Sequence, residues 1–380
     1  MKNTNSLKLY KALLKIGIIG FGGGSALIPV FHRYIVEDGQ LLSEDEFNKD
    51  LTVAISTPGA LPVELSVGAG LRNAGQAGFF LAPVMVSLPG VLLSIAILVI
   101  LGRINEGLTM QFTLLSMGIT AYIMSEILQY IYKTIRSLFH EDRPVAVAHR
   151  VVPDIHLLLK RIASALVVIL FFGAVLQLLY KGGSFSWRAC LSSILSFGGG
   201  DAYIAIAERL FVDSGMLASL TFFSIIIPIV NSTPGSILCK SLACIGYCIG
   251  TELTGSLAGG LLWALCGYAF SICMSCITYA AGSCFLEAIT VWKVWKYISL
   301  LLRVIISFLQ LRILWRLSVG FCDKWGALGW SPILSCSLLL ALVVSNVFLP
   351  DRRGVRKLYV VLASVALCLV LGNLCIFAAN

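Results

Sequence analysis

Phe21-Gly22-Gly23-Gly24-Ser25-Ala26-Leu27-Ile28 and Phe197-Gly198-Gly199-Gly200-Asp201-Ala202-Tyr203-Ile204 are two copies of one stretch, 176 residues apart. With that shift held, Arg33 falls on Arg209, Gly39 on Gly215 and Phe47 on Phe223. Ser56-Thr57-Pro58-Gly59 then falls on Ser232-Thr233-Pro234-Gly235 without a gap. An apolar composition does not generate Gly-Gly-Gly and Thr-Pro-Gly twice in register. The chain therefore carries an internal repeat, and the repeat decides how everything else is read.

Only 12% of the 380 residues are charged and 58% are hydrophobic. A soluble domain carries about 25% charged residues. Apolar runs long enough to cross a hydrocarbon core of roughly 30 Å recur along the chain. They do not alternate in polarity as barrel strands do, so the expected fold is an all-α polytopic membrane bundle. The net charge of +9 sits in short loops between apolar runs. That is a membrane-topology pattern, and it excludes a nucleic-acid partner. Lys2, Lys8, Lys11 and Lys15 spread into the first apolar run with no small-residue cleavage site after them, unlike a cleavable signal.

Apolar runs and their breakers predict helices over about 7–30, 76–101, 108–132, 162–180, 189–210, 255–285, 297–318, 329–349 and 358–378. A further helix starts from a capping box at Ser43 and Glu46, breaks at Thr57-Pro58-Gly59 and runs on to Leu71. Its repeat runs over 217–250 and breaks at Thr233-Pro234. The expected division is a first repeat over 1–160 ending in a basic loop, a second over 161–350, and an extra helix over 351–380. Each repeat holds about five transmembrane helices. The N-terminal lysines, the basic 133–161 loop and the Arg352, Arg353, Arg356, Lys357 cluster are placed inside. The acidic 37–50 loop is then outside. An odd number of crossings separates the copies, which makes them an inverted repeat in a multi-pass plasma-membrane protein with a cytoplasmic N-terminus.

The breaks are where a ligand is expected. Thr is a good N-cap and Pro suits the first helical position, so Thr57-Pro58 and Thr233-Pro234 each read as the start of a half-helix inside the membrane. The unpaired N–H groups and the dipole there suit an anion, and Gly59 and Gly235 allow close approach. A packing kink is the alternative. Gly22, Gly23, Gly24, Gly198, Gly199 and Gly200 serve either close helix packing or an unwound stretch lining a cavity.

Charge inside a membrane is costly and points to function. Glu64 follows the first break and its repeat partner is Lys240, of opposite sign. They pair across the pseudo-twofold axis, or each sits in its own polar pocket. Arg72, whose partner is Cys248, is a gate, an anion attractor or an anchor. Arg33 and Arg209 are anchors or access-site cations, Asp201 replaces Ser25 near the cavity, and Glu126 is a proton-relay candidate. All twelve cysteines lie between Cys190 and Cys375, mostly inside apolar runs where Cys acts as a small hydrophobe. Three of the four histidines are in the basic loop, so neither a metal site, a cofactor nor a catalytic triad is expected. Trp292, Trp295, Trp315, Trp325 and Trp330 read as interfacial belt residues.

The Phe-Gly-Gly-Gly motif and Thr-Pro-Gly, each in two copies, and the Leu-x-x-Glu/Asp-x-Phe loop at Leu42, Asp45 and Phe47 resemble the chromate ion transporter family. The resemblance covers Phe21–Gly78 and Phe197–Gly250, about a third of the chain. It implies two homologous, oppositely oriented halves that move an oxyanion. It places the family's glycine motif on Phe21 to Gly24 and Phe197 to Gly200, its proline motif on Pro58-Gly59 and Pro234-Gly235, and its basic residue on Arg72. The family pattern of Pro-Gly-Pro followed by Asn is absent, with Ala60 and Ser236 after the glycines. His32 stands where an acid is usual, and Glu208 keeps it in the second copy. The expected function is secondary transport of a small inorganic oxyanion, chromate or one like sulfate. A homo-oligomer is compatible with this, and lipid is the surrounding partner. The alternatives are an anion channel, a membrane scaffold and a membrane enzyme. The last lacks paired His or carboxylates at catalytic spacing.

Overall fold

The computed structural model describes residues 2–20, 27–101, 155–196, 200–288, 328–348 and 355–379, with further helical positions between 114 and 135 and between 311 and 326. The described residues form helices and their connections, with no strand among them. Glu126, most of the expected 108–132 helix, the loop up to 154, and the stretches 21–26 and 197–199 lie outside the described residues.

Helix α1 (Lys2–Ile19) stops well short of residue 30, the end expected for it. Gly20 closes it, donating its N–H to Ile16 O at 2.8 Å, and the glycines that follow are poor helix formers. The same reason splits the helix expected over 189–210 into α6 and α7, described below. Helix α2 (Ile28–Phe31) widens into a π turn, His32–Glu37. Helix α3 (Glu44–Ser56) starts at the expected capping box: Ser43 Oγ accepts the Glu46 N–H and Glu46 accepts the Ser43 N–H.

Helix α4 (Leu61–Leu101) has 41 residues, or about 60 Å of helix, twice a bilayer core. Gly75, at φ 59° and ψ −135°, folds it into two arms. The arms meet backbone to backbone, since a Cβ on Gly78 would lie 2.0 Å from Gly70 O. Gly78→Ala is expected to cost about 1–3 kcal/mol through overpacking. Thermal unfolding in detergent measures this, and an unchanged midpoint would show that the arms do not touch.

Helix α5 (Ile155–Tyr180) begins earlier than expected and takes in His156, Lys160 and Arg161, which the sequence placed in a loop. It turns outward an apolar face of Val167, Leu170, Phe171 and Leu178, suited to hydrocarbon rather than water. Helix α6 (Gly183–Leu195) and helix α7 (Gly200–Ala207) follow, and α7 widens into a second π turn, Glu208–Val212. The two π turns begin at His32 and Glu208, positions related by the repeat. A short turn, Ser219–Thr221, and a third π turn, Phe222–Ile226, lead to helix α8 (Ile227–Ser232).

Helix α9 (Ile237–Thr254) ends at Gly255 in the left-handed conformation and folds back as helix α10 (Leu257–Ala288). Gly246 and Gly250 make room there for Trp263. Helices α11 (Pro332–Phe348) and α12 (Val355–Ala379) complete the described chain. Trp325 is buried between Phe321 and Trp330 instead of lying in an interfacial belt. Among the described residues, α4, α5, α9 and α10 are long and apolar enough to cross a membrane. Helix α10 packs against α4, α5, α6 and α9 and forms the hub.

One pair of hydrogen bonds ties the two copies together. Gly59 donates its N–H to Ser196 O at 2.7 Å, and Gly235 donates its own to Gly20 O at 2.8 Å. The 176-residue shift carries Gly59 to Gly235 and Gly20 to Ser196, so each bond is the image of the other. The break in one copy is closed by the glycine-motif entrance of the other.

Candidate functional site

Both predicted breaks are present, with nearly the same backbone. Thr57 has φ −98° and ψ 153°, and Thr233 has φ −100° and ψ 150°. The expected N-cap role is not what these threonines do. Each ends the helix before it: Thr57 Oγ1 donates to Val53 O at 2.8 Å and Thr233 Oγ1 to Ile229 O at 2.9 Å. The half-helices begin later, at Leu61 and at Ile237, where Ser236 is the N-cap. Pro58 and Pro234 therefore lie in the extended links and not at a first helical position. A threonine before a proline fits either side of a break, and only the backbone decides which.

Gly59 and Gly235 have φ 148° and 91°, a region that disfavours side chains. Their surroundings differ. A Cβ on Gly59 would meet Glu64 Oε1 at 2.6 Å and Ser275 Oγ at 3.3 Å. A Cβ on Gly235 would meet nothing nearer than 3.8 Å. The first break is filled by polar side chains, and the second is lined by backbone atoms in ordinary contact with no side chain crowding it.

Glu64 is fully buried. Its Oε1 accepts the Thr278 hydroxyl at 2.9 Å, and its Oε2 has no hydrogen-bond partner. Lys240, also buried, donates from Nζ to Val230 O at 2.6 Å and to Thr233 O. These are carbonyls at the C-terminal end of α8, where the helix dipole favours a cation. Glu64 and Lys240 thus occupy separate polar pockets and form no pair. Across the second break, Ser94 Oγ lies 2.8 Å from Thr233 Oγ1, and Gly90 packs against the Pro234 carbonyl.

Arg72 is not a free cation. Its guanidinium grips Asp50, Nε to Oδ2 at 3.0 Å and Nη2 to Oδ1 at 2.8 Å, with Glu46 3.8 Å away. Tyr279 donates its hydroxyl to the same Asp50 Oδ1 at 2.9 Å. Gly68 leaves the room this cluster needs, since a Cβ there would lie 2.4 Å from Tyr279 Oη. The repeat partners of Asp50 and Arg72 are Ile226 and Cys248, so the cluster exists in one copy only.

Arg33 and Arg209 are exposed, and Arg33 makes a surface pair with Asp38 at 3.4 Å. Gly200 opens α7. Gly22, Gly23, Gly24, Gly198, Gly199 and the Asp201 side chain lie outside the described residues. His32 joins two acids, Glu37 on Nδ1 at 3.1 Å and Glu44 on Nε2 at 2.9 Å. The hydrogen bond to Glu44 raises its pKa above the usual value, helped by the charges of Glu44 and Glu37. A raised pKa means that this contact stabilises the fold at low pH and is lost as pH rises through the folded value. His32→Gln is expected to flatten the pH dependence of the unfolding midpoint just above about pH 6.5. An unchanged pH profile would remove this role.

Sequence reasoning missed Asp50, Ser196, Ser275, Thr278 and Tyr279. Asp50 could have been found as an acid one helical stretch before a break that also carries an unmatched Arg72. Ser275, Thr278 and Tyr279 carry no motif.

Apolar helices interrupted in the middle, with buried charge at the interruptions, define a helical membrane protein built around polar break points. The family description "Chromate transporter" matches residues 7–182 and again 183–373, and the chain belongs to that family. A probable chromate transport protein of Synechococcus elongatus is 43% identical over 112 residues, covering 27% of this chain and 28% of its own length. A chromate transport protein of Pseudomonas aeruginosa is 36% identical over 90 residues, covering 24% of this chain and 22% of its own. An uncharacterized transporter of Bacillus subtilis is 28% identical over 125 residues, covering 33% of this chain and 70% of its own. The aligned part of this chain thus spans about a quarter of the length of the two chromate relatives. No solved structure matches.

Proposed function

We propose that this chain is a secondary transporter of a small inorganic oxyanion, chromate by its family, built from two inverted repeats in the plasma membrane with the N-terminus in the cytoplasm. The observation that carries the reading is the pair of breaks, each closed by a backbone hydrogen bond from the other copy. At the second break the first turn of α9 presents N–H groups without partners in the helix, which suits an anion. At the first break Pro62 has no N–H, and Val63 and Glu64 both donate to Ala60 O. The second break is the better anion site. No side chain crowds Gly235, whose missing Cβ would meet its nearest neighbours at 3.8 Å, Ser236 supplies a buried hydroxyl at the N-cap, and Lys240 supplies positive charge nearby. The first break, with Glu64 inside it, repels an anion unless that charge is neutralised.

Rocking of one half against the other about the breaks would expose the site alternately. Outward movement of an anion from a negative interior is favourable by roughly 2.3 kcal/mol per charge per 100 mV. The test is uptake of chromate, sulfate and molybdate into inverted membrane vesicles, with Gly235→Val and Pro234→Ala beside the unaltered protein. Saturable uptake of one oxyanion, lost in Gly235→Val, is expected. If no flux responds to either replacement, the breaks do not hold the substrate. Unsaturable flux in the unaltered protein would favour a channel instead.

A further inference from the structure

The repeat makes each break a control for the other. In the second, two carbonyls at the end of α8, Val230 O and Thr233 O, receive the Lys240 ammonium. The 176-residue shift carries these positions to Ala54 and Thr57, at the end of α3, where the backbone turns in the same way. The same shift puts Glu64 where Lys240 stands. The first break therefore has the same helix C-terminus with no tethered cation at the matching position, and a carboxylate has replaced it.

That carboxylate is incompletely satisfied. Glu64 Oε2 and Ser275 Oγ are both fully buried and both without a hydrogen-bond partner. Glu64 Oε1 and Ser275 Oγ converge on one point beside Gly59, at 2.6 Å and 3.3 Å from the place its Cβ would occupy. The Thr57 hydroxyl lies alongside the carboxylate, and Thr278 Oγ1 donates to it. Ser196, whose carbonyl takes the Gly59 N–H, also has a buried hydroxyl without a partner.

We propose that the first break binds a sodium ion, and that the Lys240 ammonium is its built-in counterpart in the second break. The ligands are hard oxygens: the Glu64 carboxylate, the Ser275 hydroxyl and the Thr57 region at the end of α3. Helix C-termini and unwound carbonyls of broken membrane helices suit such an ion. One positive charge is what the site lacks, because one carboxylate is present and the matching position carries one ammonium. A proton on the carboxylate would leave Ser275 Oγ without a partner, whereas an ion held between the carboxylate and Ser275 Oγ serves both groups. As a coupling ion, sodium rests on the transport reading above. As a bound ion, it rests only on the break.

The experiment measures thermal unfolding of the full-length protein in detergent, in sodium, potassium or choline chloride at constant ionic strength and at several pH values. Radioactive sodium binding is read in parallel. A saturable rise of the midpoint with sodium alone is expected. Ser275→Ala should weaken sodium binding by about tenfold, the worth of one good oxygen contact to a charge. Glu64→Gln should abolish it. Glu64→Lys should fold, with a midpoint that ignores sodium, because the first break then copies the second. If the Glu64 variants fail to fold, the Ser275→Ala shift decides. No sodium-specific rise, a rise that survives Glu64→Gln, or a response to pH alone overturns the proposal, the last by assigning the charge to a proton. Sodium binding without any anion flux would leave the site standing and remove the transport reading.

Discussion

Asp50→Ala is expected to destabilise the protein by about 3–5 kcal/mol, the usual cost of removing one partner from a buried ion pair. Asp50 is 2% exposed and accepts from the Arg72 Nε and Nη2 and from Tyr279 Oη, so its loss leaves a half-buried guanidinium with only the more distant, exposed Glu46 as counter-charge. Arg72→Met should cost nearly as much, because it strands the more deeply buried carboxylate. The second copy shows that the fold has an apolar solution here, since Ile226 and Cys248 stand at the matching positions. The double replacement Asp50→Ile with Arg72→Cys should therefore recover most of the loss. A double-mutant cycle on the unfolding midpoint measures this. If the two single losses simply add, the pair is not coupled and the assignment of Arg72 fails.

Gly59→Ala should be more damaging than Gly235→Ala, although the two positions are repeats. At Gly59 a methyl group meets Glu64 Oε1 at 2.6 Å in addition to an unfavourable φ of 148°. At Gly235 only the backbone penalty applies, about 1–3 kcal/mol, because a methyl group there meets its neighbours at an ordinary contact distance of 3.8 Å. Gly59→Ala should exceed that figure and should also disturb whatever Glu64 holds. Midpoints and oxyanion flux are to be compared for both variants. Equal losses would show that the asymmetry between the breaks is not real.

Much of this architecture could be read from the residues. The glycine and Thr-Pro-Gly motifs are rare enough to locate the repeat and the breaks. The Ser43–Glu46 spacing located the start of α3, and Gly75 lies where two apolar runs were expected to meet. The parts that escaped share a physical cause. Thr57 and Thr233 are equally good hydrogen-bonding residues on either side of a break, so sequence could not say that they close α3 and α8. Glu64 and Lys240 carry opposite charges, which invites pairing, but the carbonyls of a broken helix are an equally good partner for an ammonium and leave no trace in side-chain identity. Arg72 found its acid through folding of α4 against α3, a contact that no local spacing encodes. Thr278 and Tyr279 reach the first break from α10, a helix that reads simply as apolar.

The exchanged bonds between Gly59 and Ser196 and between Gly235 and Gly20 also bear on how the chain is made. During synthesis Gly59 enters the bilayer long before Ser196 exists, and its N–H has no native acceptor until then. Gly20, in turn, waits for Gly235. Neither half can therefore reach its finished backbone while the other is missing, and assembly is governed by contacts distant in sequence, which form slowly. Two separately expressed halves should each be held unfinished and susceptible to quality-control proteolysis, and each should be rescued by the other when both are produced in one cell.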